Sequence, residues 1–182
     1  MTNLDELTVA GFADEWVRFD QTQLTPEERQ MMFDEYFSVF PWDILSVGAV
    51  GADIGCRSGR WATMVAPRVG TLHAVDPSNA IEVARRVCAS HPNVRFHQVG
   101  VDDLPFGDAS LDFAYAFGVL HHVPDTASAI AAIGSTQRAR LGKRSRARME
   151  RFYSVSGMIG AYAELYRGLT DERAFKNSVA SA

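Results

Sequence analysis

Hydrophobic positions follow two different spacings along this chain of 182 residues. Before residue 44 the apolar side chains recur at helical spacing. Thr25, Pro26 and Glu28 predict a helix start there, because they combine a capping residue, a first-turn proline and a capping-box glutamate. From residue 44 onward, short apolar runs at 50–56, 71–76, 93–100 and 111–120 alternate with helical stretches at 60–68 and 79–90. This alternation is typical of βαβ units, so the sequence predicts an α/β fold with a parallel sheet and right-handed crossovers.

The strand pattern stops after Gly134, and the remainder of the chain shows no further strand signal. Residues 137–153 and 155–169 instead have the spacing of two helices, the second of them amphipathic. The sequence therefore predicts three parts: a helical N-terminal extension at 1–43, a ligand-binding α/β domain at 44–134, and a helical, basic C-terminal tail at 135–182.

The overall composition is that of an ordinary globular protein, with 47% hydrophobic and 22% charged residues. No apolar run approaches the roughly 18 residues that a membrane span needs. The acidic start MTNLDELT is unlike a signal peptide. Two cysteines, Cys56 and Cys88, are too few for a disulfide framework or a zinc cluster. We therefore expect a reducing, cytoplasmic environment, no membrane partner and no metal site.

Charge is distributed unevenly along the chain. Residues 1–137 carry a net charge of −10 and residues 138–182 one of +6, and seven of the 18 basic residues lie in the run at 138–151. A basic helix can bind nucleic-acid phosphates in a salt-sensitive manner. Nucleic-acid binding is not the favoured interpretation, because no aromatic residues interleave the basic ones and the acidic body would repel the ligand. A solvated helix face is favoured, and binding that weakens steeply with salt would reverse that preference.

A glycine-rich turn, DIGCRSG at 53–59, follows the first predicted strand and leads into a helix. Such a turn lets backbone N–H groups approach a ligand at the positive end of the helix. Asp76 ends the next strand 23 residues after Asp53, where an acid is placed to accept hydrogen bonds from ribose hydroxyls. Together these features indicate a nucleoside-containing ligand. NAD and ATP both fit poorly, because Arg57 and Arg60 stand where a dinucleotide fingerprint needs glycine and no P-loop is present.

Three segments resemble class I S-adenosylmethionine-dependent methyltransferases of the small-molecule type, which includes ubiquinone-type and sugar-pathway enzymes. They are GADIGCRSGRW (51–61), AVDPS (74–78) and VDDLPFGDASLDFAYAFGVLHHVPD (101–125). GFADEWVRFD (11–20) is similar to segments that precede this domain in some bacterial members. The resemblance implies a Rossmann-like sheet in strand order 3-2-1-4, S-adenosyl-L-methionine as cofactor, and a small-molecule methyl acceptor, such as a saccharide or another hydroxylated metabolite.

The resemblance also implies roles for the residues of the first two segments. Asp53 would lie near the methionine ammonium, and Gly55 and Gly59 would let the backbone pass beneath the methionine and ribose. Asp76 would hold the ribose diol. Structural alternatives stay open for both acids, because Asp53 could cap the following helix and Asp76 could form an Asx turn before Pro77.

In the third segment, the resemblance places Val101 and Asp102 along the adenine edge. Phe117 and Gly118, at the end of the fourth strand, would line the methionine side of the pocket. The alternative for Asp102 is a solvated loop pair with Asp103.

His121 and His122 are the candidate catalytic residues, since the resemblance places both at the substrate opening. A hydroxyl acceptor benefits from a general base, and histidine suits that role near neutral pH. A histidine that only shapes the pocket is the open alternative. Cys56 is expected to be a packed small residue rather than a nucleophile, and Trp16 and Trp61 are expected in the core.

Two departures from the family pattern bear on function. The family turn is D-x-G-x-G-x-G, and Arg57 replaces its middle glycine. A side chain there could enter the cofactor pocket, or it could point outward and approach the methionine carboxylate.

The sheet is also expected to be C-terminally incomplete, as in a truncation, frameshift or gene fusion, because residues 138–169 resemble the C-terminal tail of a GT-B glycosyltransferase instead of continuing the family pattern. The strand at 112–120 would then be an exposed, apolar edge through which the chain could self-associate. A methyltransferase is the leading functional interpretation, and a non-catalytic remnant that at most binds the nucleoside is the alternative.

Overall fold

The computed structural model describes residues 3–7, 9–11 and 24–136. From residue 26 onward, helices and strands alternate along this part of the chain. They are α1 (Pro26–Tyr36), β1 (Val50–Ile54), α2 (Arg60–Val65), β2 (Thr71–Val75), α3 (Ala80–Val87), β3 (Val94–His97), β4 (Phe113–Tyr115) and α4 (Thr126–Thr136). Short 3₁₀ turns lie between them at Trp42–Ile44, Ala66–Arg68, Val101–Asp103 and Leu120–His122.

The four strands form one parallel sheet in the order β3-β2-β1-β4. β1 is central: Val50 stands opposite Thr71 of β2, and Gly51 stands opposite Phe113 of β4. The predicted α/β, Rossmann-like fold with strand order 3-2-1-4 is therefore confirmed. Because all strands run in the same direction, their carboxyl ends meet at one edge, which is where open α/β sheets bind ligands.

Helix α1 begins where the sequence predicts. The Glu28 N–H donates to Thr25 Oγ1 at 3.2 Å, and the Thr25 N–H donates to Glu28 Oε2 at 2.9 Å, which completes the capping box. The rings of Phe33 in this helix and of Phe37 just after it pack inward, are buried, and stack at 4.4 Å. Met31 and Tyr36 stay exposed, so only part of the apolar surface of the helix enters the core.

Apolar clusters cover both faces of the sheet, as a parallel sheet requires. On one face, the rings of α1 pack with Trp61 of α2 and with Phe113 and Tyr115 of β4. On the other face, Ala129 and Ile133 of α4 pack against residues of β1 and β2. The site-bearing edge is thus held between two packed layers.

The fourth strand is shorter than the apolar run at 111–120 predicts, because β4 ends at Tyr115. Gly118 adopts a positive φ of 64°, which turns the chain out of the strand direction. Ala116 and Leu120 nevertheless pack against the α4 side of the sheet. The apolar pattern continues past the strand because these loop residues also cover the core, so Phe117 and Gly118 lie in the loop after β4.

Several predicted features lie outside the described residues. They are the helices at 137–153 and 155–169, the basic run at 138–151, the GT-B-like segment at 138–169, Trp16, and most of the segment at 11–20. Across residues 3–7, 9–11 and 24–136, no helix combines the length and apolar character that a membrane crossing needs.

Candidate functional site: a cleft at the carboxyl ends of β1 and β2

The glycine-rich turn after β1 is anchored to the end of β2. The N–H groups of Gly55 and Cys56 both donate to the Val75 carbonyl, at 2.7 and 2.9 Å. Gly55 has a φ of 74°, and a Cβ atom on it would lie 2.4 Å from Val119 Cγ2. Glycine is therefore required at this position for both its conformation and its close contact. The turn brings its backbone to the edge of the sheet where β1 and β2 end.

A cleft of about 760 Å³, its open mouth included, lies at this edge. Its walls come from the ends of β1 and β2, from the loops after β3 and β4, and from the N-terminal segment. Of the predicted site residues, those lining it are Gly55, Asp76, Val101, Gly118 and His122. A smaller neighbouring cavity of about 290 Å³ is lined by Asp53 and Phe117 among others. Three predicted residues, Gly59, Asp102 and His121, line neither cavity.

Asp76 is buried at the end of β2 and organises the floor of the cleft. Its Oδ1 accepts from the Ser78 N–H at 2.9 Å and from Ser78 Oγ at 2.6 Å, and its Oδ2 accepts from the Arg57 N–H at 2.9 Å. The Asx-turn alternative is therefore realised in the structure. A carboxylate oxygen offers about two acceptor positions, so Oδ2 keeps capacity for a ribose hydroxyl alongside this structural role.

Asp53 is a buried acid that lacks a partner for one oxygen. It is 2% exposed, and its Oδ2 has no hydrogen-bond partner. Burial raises the pKa of Asp53 to about 7. The nearby Tyr115 hydroxyl acts in the opposite direction and lowers this pKa, but it makes no hydrogen bond of ordinary geometry. Asp53 does not cap α2, whose N-cap is Gly59 without a side-chain bond. The unpartnered oxygen beside a cavity suits a cationic group of a ligand.

The raised pKa of Asp53 predicts a pH dependence of stability with a defined sign. Because folding raises this pKa from 3.8 to about 7, the folded chain holds an extra proton between these values. Stability then falls as the pH rises through the window, by up to about 1.4 kcal/mol per pH unit. We expect the unfolding free energy of Asp53→Asn to equal that of the native chain near pH 3.8 and to exceed it at pH 8.

Urea unfolding across this pH range measures the difference in unfolding free energy between the two proteins. The exposed acid Asp108 provides a matched control, because Asp108→Asn makes the same chemical change at a position in contact with solvent. A stability gap for Asp53→Asn that does not change with pH would contradict the assignment.

Arg57 lies across the site. Its φ of 53° is unusual for a residue other than glycine and costs roughly 1–2 kcal/mol. Its guanidinium donates through Nη2 to the Gly118 carbonyl on the loop after β4. Of the two positions open to this side chain from sequence, the structure therefore shows it within the cleft.

The N-terminal segment closes the far side of the cleft, which sequence reasoning missed. The Asn3 N–H donates to Asp102 Oδ2 at 2.6 Å, and the Asn3 side chain bonds the backbone of Asp125 in both directions, at 2.6 and 2.7 Å. Leu4 and Val9 line the cleft. No local signal marks Asn3, because its partners lie about a hundred residues away along the chain. Asp102 is thus exposed and engaged by Asn3, whereas Val101 is buried and contributes to the cleft.

The two candidate catalytic histidines occupy different positions. Their rings lie 3.7 Å apart, but His122 lines the cleft while His121 is exposed outside it. Desolvation, His121 and Arg57 all lower the pKa of His122. His122 is therefore predominantly neutral near pH 7 and able to accept a proton, which makes it the better-placed of the two.

Cys56 and Cys88 are buried free thiols. Burial raises the pKa of both, well above the ordinary range for Cys56 and to about 12 for Cys88, which agrees with a packing role rather than a nucleophilic one. Trp61 is buried in the aromatic cluster as expected, and its ring also borders the smaller cavity. Within the described residues, no group of three or more His, Cys, Asp or Glu side chains comes together as a metal site.

Residues 52–138, just under half of the chain, match the family model described as "Methyltransferase domain". No curated protein matches the chain.

Solved structures share the fold. The YcgJ protein from Bacillus subtilis is 25% identical, with a TM-score of 0.51 over 60% of this chain and 45% of that one. A "putative S-adenosyl-L-methionine-dependent methyltransferase" from Methanococcus maripaludis is 17% identical, with a TM-score of 0.59 over 94% and 87% of the two chains. Phosphoethanolamine N-methyltransferase 1 from Haemonchus contortus, in complex with phosphoethanolamine and S-adenosylhomocysteine, is 17% identical, with a TM-score of 0.60 over 76% and 31%. The chain thus spans less than half the length of the Bacillus protein.

Residues 52–138 match a methyltransferase-domain model, and the sheet has the fold of solved S-adenosylmethionine-dependent methyltransferases. S-adenosyl-L-methionine is the cofactor that these matches support. The residues present fit the nucleoside end of this cofactor, because Asp76 keeps acceptor capacity next to apolar walls formed by Val99 and Val101. The unpartnered oxygen of Asp53 fits the ammonium of the methionine end. Arg57 lines both the larger cleft and the smaller cavity.

Proposed function

We propose that this chain transfers a methyl group from S-adenosylmethionine to a small molecule, with a saccharide or another hydroxylated metabolite as acceptor. The observation that carries the proposal is the pair of buried acids at the ends of adjacent strands. Asp53 and Asp76 flank the glycine turn, and the unpartnered Oδ2 of Asp53 leaves a buried carboxyl next to a cavity. A buried carboxyl in that position is stabilised by a cation such as an α-ammonium.

The residues of the cleft divide the work of binding and positioning. Asp76 would hold the ribose through Oδ2, Val101 would pack on the adenine, and Asp53 would hold the ammonium. When bound, the cofactor supplies a methyl group on a positively charged sulfur. His122 would accept the hydroxyl proton of the acceptor, since it borders the cleft and is predominantly neutral near pH 7. Most of the rate gain would come from holding the acceptor in line.

The covered cleft supports a small acceptor. Asn3 fastens the N-terminal segment to Asp102 and to Asp125, and Leu4 and Val9 add apolar walls. A confined site of this kind favours a small metabolite over a polymer.

Transfer of a labelled methyl group tests the proposed reaction. The native chain is incubated with methyl-labelled S-adenosylmethionine and a panel of sugars and other hydroxylated metabolites, and labelled product is counted. We expect transfer to at least one acceptor, a loss of about a hundredfold in rate for His122→Ala, and little change for the exposed control His121→Ala. Equal losses in both variants would contradict the assignment of His122 as general base.

The second candidate function is a domain that binds the nucleoside without turning it over. The position of Arg57 favours it, since this residue lines both cavities of the site and its guanidinium donates to the Gly118 carbonyl. Binding of S-adenosylhomocysteine without label transfer to any acceptor would decide for this candidate.

Cytoplasmic localisation remains part of the proposal and agrees with the two free thiols.

Self-association through residues 112–120 also remains a prediction. β4 is the outermost strand on its side of the described sheet. The Asp112 N–H donates to the Val50 carbonyl of β1. Because successive residues of a strand direct their peptide groups to opposite sides, those of Phe113 and Tyr115 point away from β1, toward the free edge of the sheet. Sedimentation velocity tests this, and a monomer at high concentration would contradict it.

A further inference from the structure

The backbone of Arg57 is tied to the acid at the floor of the cleft. Its N–H donates to Asp76 Oδ2 at 2.9 Å, and its φ of 53° lies in the left-handed region. The side chain of Arg57 therefore starts next to the carboxylate proposed to hold the ribose. Strained backbone conformations of this kind concentrate at functional sites.

The side chain then crosses the site to the loop after β4. The guanidinium donates through Nη2 to the Gly118 carbonyl. Gly118 makes room for it, since a Cβ atom on Gly118 would lie 3.2 Å from Arg57 Nη2. The space that this glycine leaves open is thus filled by a side chain of the protein itself.

Arg57 borders two cavities. The larger one contains Asp76 and Val101, and the smaller one contains Asp53; Gly55 and Arg57 line both. Arg57 therefore lies at the nucleoside part of the site and also at the part proposed for the ammonium.

Positive charge already acts on the acid at the ammonium end. Arg57 and Arg60 both act to lower the pKa of Asp53, against the larger effect of burial. A ligand ammonium placed there would join two guanidinium groups, and like charges at close range disfavour binding. The place that suits a methionine ammonium is therefore contested by Arg57.

We propose that Arg57 determines the ligand specificity of this cleft: with Arg57 on Gly118, the site binds adenine nucleosides that have no amino-acid tail, and it binds a ligand with the full tail only after Arg57 leaves Gly118. The inference rests on the nucleoside site proposed above. It makes Arg57 the residue that determines how the affinity for an adenine nucleoside changes with the length and charge of the 5′ substituent of the ligand.

Calorimetric titration with adenosine, 5′-methylthioadenosine and S-adenosylhomocysteine tests this on the native chain and on Arg57→Gly. Glycine suits the positive φ at this position, so the variant keeps the turn. Arg60→Ala is the matched control, because Arg60 also acts on the charge of Asp53 but lines only the smaller cavity. We expect Arg57→Gly to tighten S-adenosylhomocysteine by about tenfold or more, while adenosine and methylthioadenosine change little. Arg60→Ala should not reproduce this selective gain.

The outcomes separate failure of this inference from failure of the proposed function. If both proteins bind adenosine and Arg57→Gly leaves S-adenosylhomocysteine unchanged, the inference is wrong and the nucleoside site stands. Weaker S-adenosylhomocysteine binding by Arg57→Gly would also overturn it, because Arg57 would then hold the ligand carboxylate. If no ligand binds to either folded protein, the proposed function fails and the inference fails with it.

Discussion

Asp76→Ala is expected to weaken binding of S-adenosylhomocysteine by about tenfold to hundredfold, because a buried carboxylate contributes roughly 1.5–3 kcal/mol through hydrogen bonds to its partners. Asp76 is 5% exposed, and its Oδ2 is the oxygen with remaining acceptor capacity at the cleft. The alanine variant also removes the bonds to Ser78 and to the Arg57 N–H, so some loss of stability accompanies the loss of affinity.

Two variants separate these effects for Asp76. Asp76→Asn keeps an acceptor for Ser78 and should retain more stability than alanine while still losing affinity, since it removes the charge. Asp103→Ala is the matched control, because Asp103 is exposed and lies outside the cleft lining. Calorimetric titration measures affinity and thermal unfolding measures stability. Equal losses of affinity for Asp76→Ala and Asp103→Ala would contradict the ribose role of Asp76.

Gly51→Ala is expected to destabilise the fold by about 2 kcal/mol. Overpacking costs roughly 1–3 kcal/mol or more, and the lower entropy of the unfolded alanine variant offsets part of that cost. A Cβ atom on Gly51 would lie 2.0 Å from Cζ of Phe113, its neighbour on β4. That ring has little room to move, since it packs edge-on against Phe40 at 5.4 Å and lies parallel to the ring of Tyr115 at 6.4 Å.

Gly48→Ala is the matched control for Gly51→Ala, because nothing lies within 4 Å of a Cβ atom at Gly48. Urea unfolding should show no loss of stability for this control, and a gain of about 0.4–1 kcal/mol from the lower entropy of its unfolded chain. Phe113→Leu removes the clashing ring atoms, so the double variant should be more stable than the sum of the two single effects predicts. If the stability changes of Gly51→Ala and Phe113→Leu simply add in the double variant, the Phe113 ring is not the cause of the destabilisation.

Local chemistry made part of this protein predictable from sequence. The Thr25–Glu28 capping box needs only residues within one helical turn, and the structure contains both of its hydrogen bonds. The spacing of the apolar runs indicated a parallel sheet, and the resemblance to a known family implied its strand order. The same spacing placed Asp76 next to the glycine turn, and the Arg57 N–H indeed bonds to it.

Contacts between distant residues were not accessible in the same way. Asn3 meets Asp125 across 122 positions of the chain, and no pattern in a single sequence records such a pairing. The close contact of Gly51 with Phe113 depends on the register between β1 and β4. The direction of the Arg57 side chain depends on the space above Gly118. The end of β4 was missed for a further reason: loop residues after Tyr115 are as apolar as the strand, because they cover the same core.

Amide chemical-shift mapping with S-adenosylhomocysteine tests the central claim most directly, namely that a nucleoside binds at the carboxyl ends of β1 and β2. On the 182-residue chain, the expected result is saturable shifts confined to the turn and the neighbouring loops, with Gly55, Ser78 and Val101 among the largest. Shifts that cluster elsewhere, or a folded protein whose spectrum does not change at millimolar ligand, would contradict a nucleoside site in this cleft.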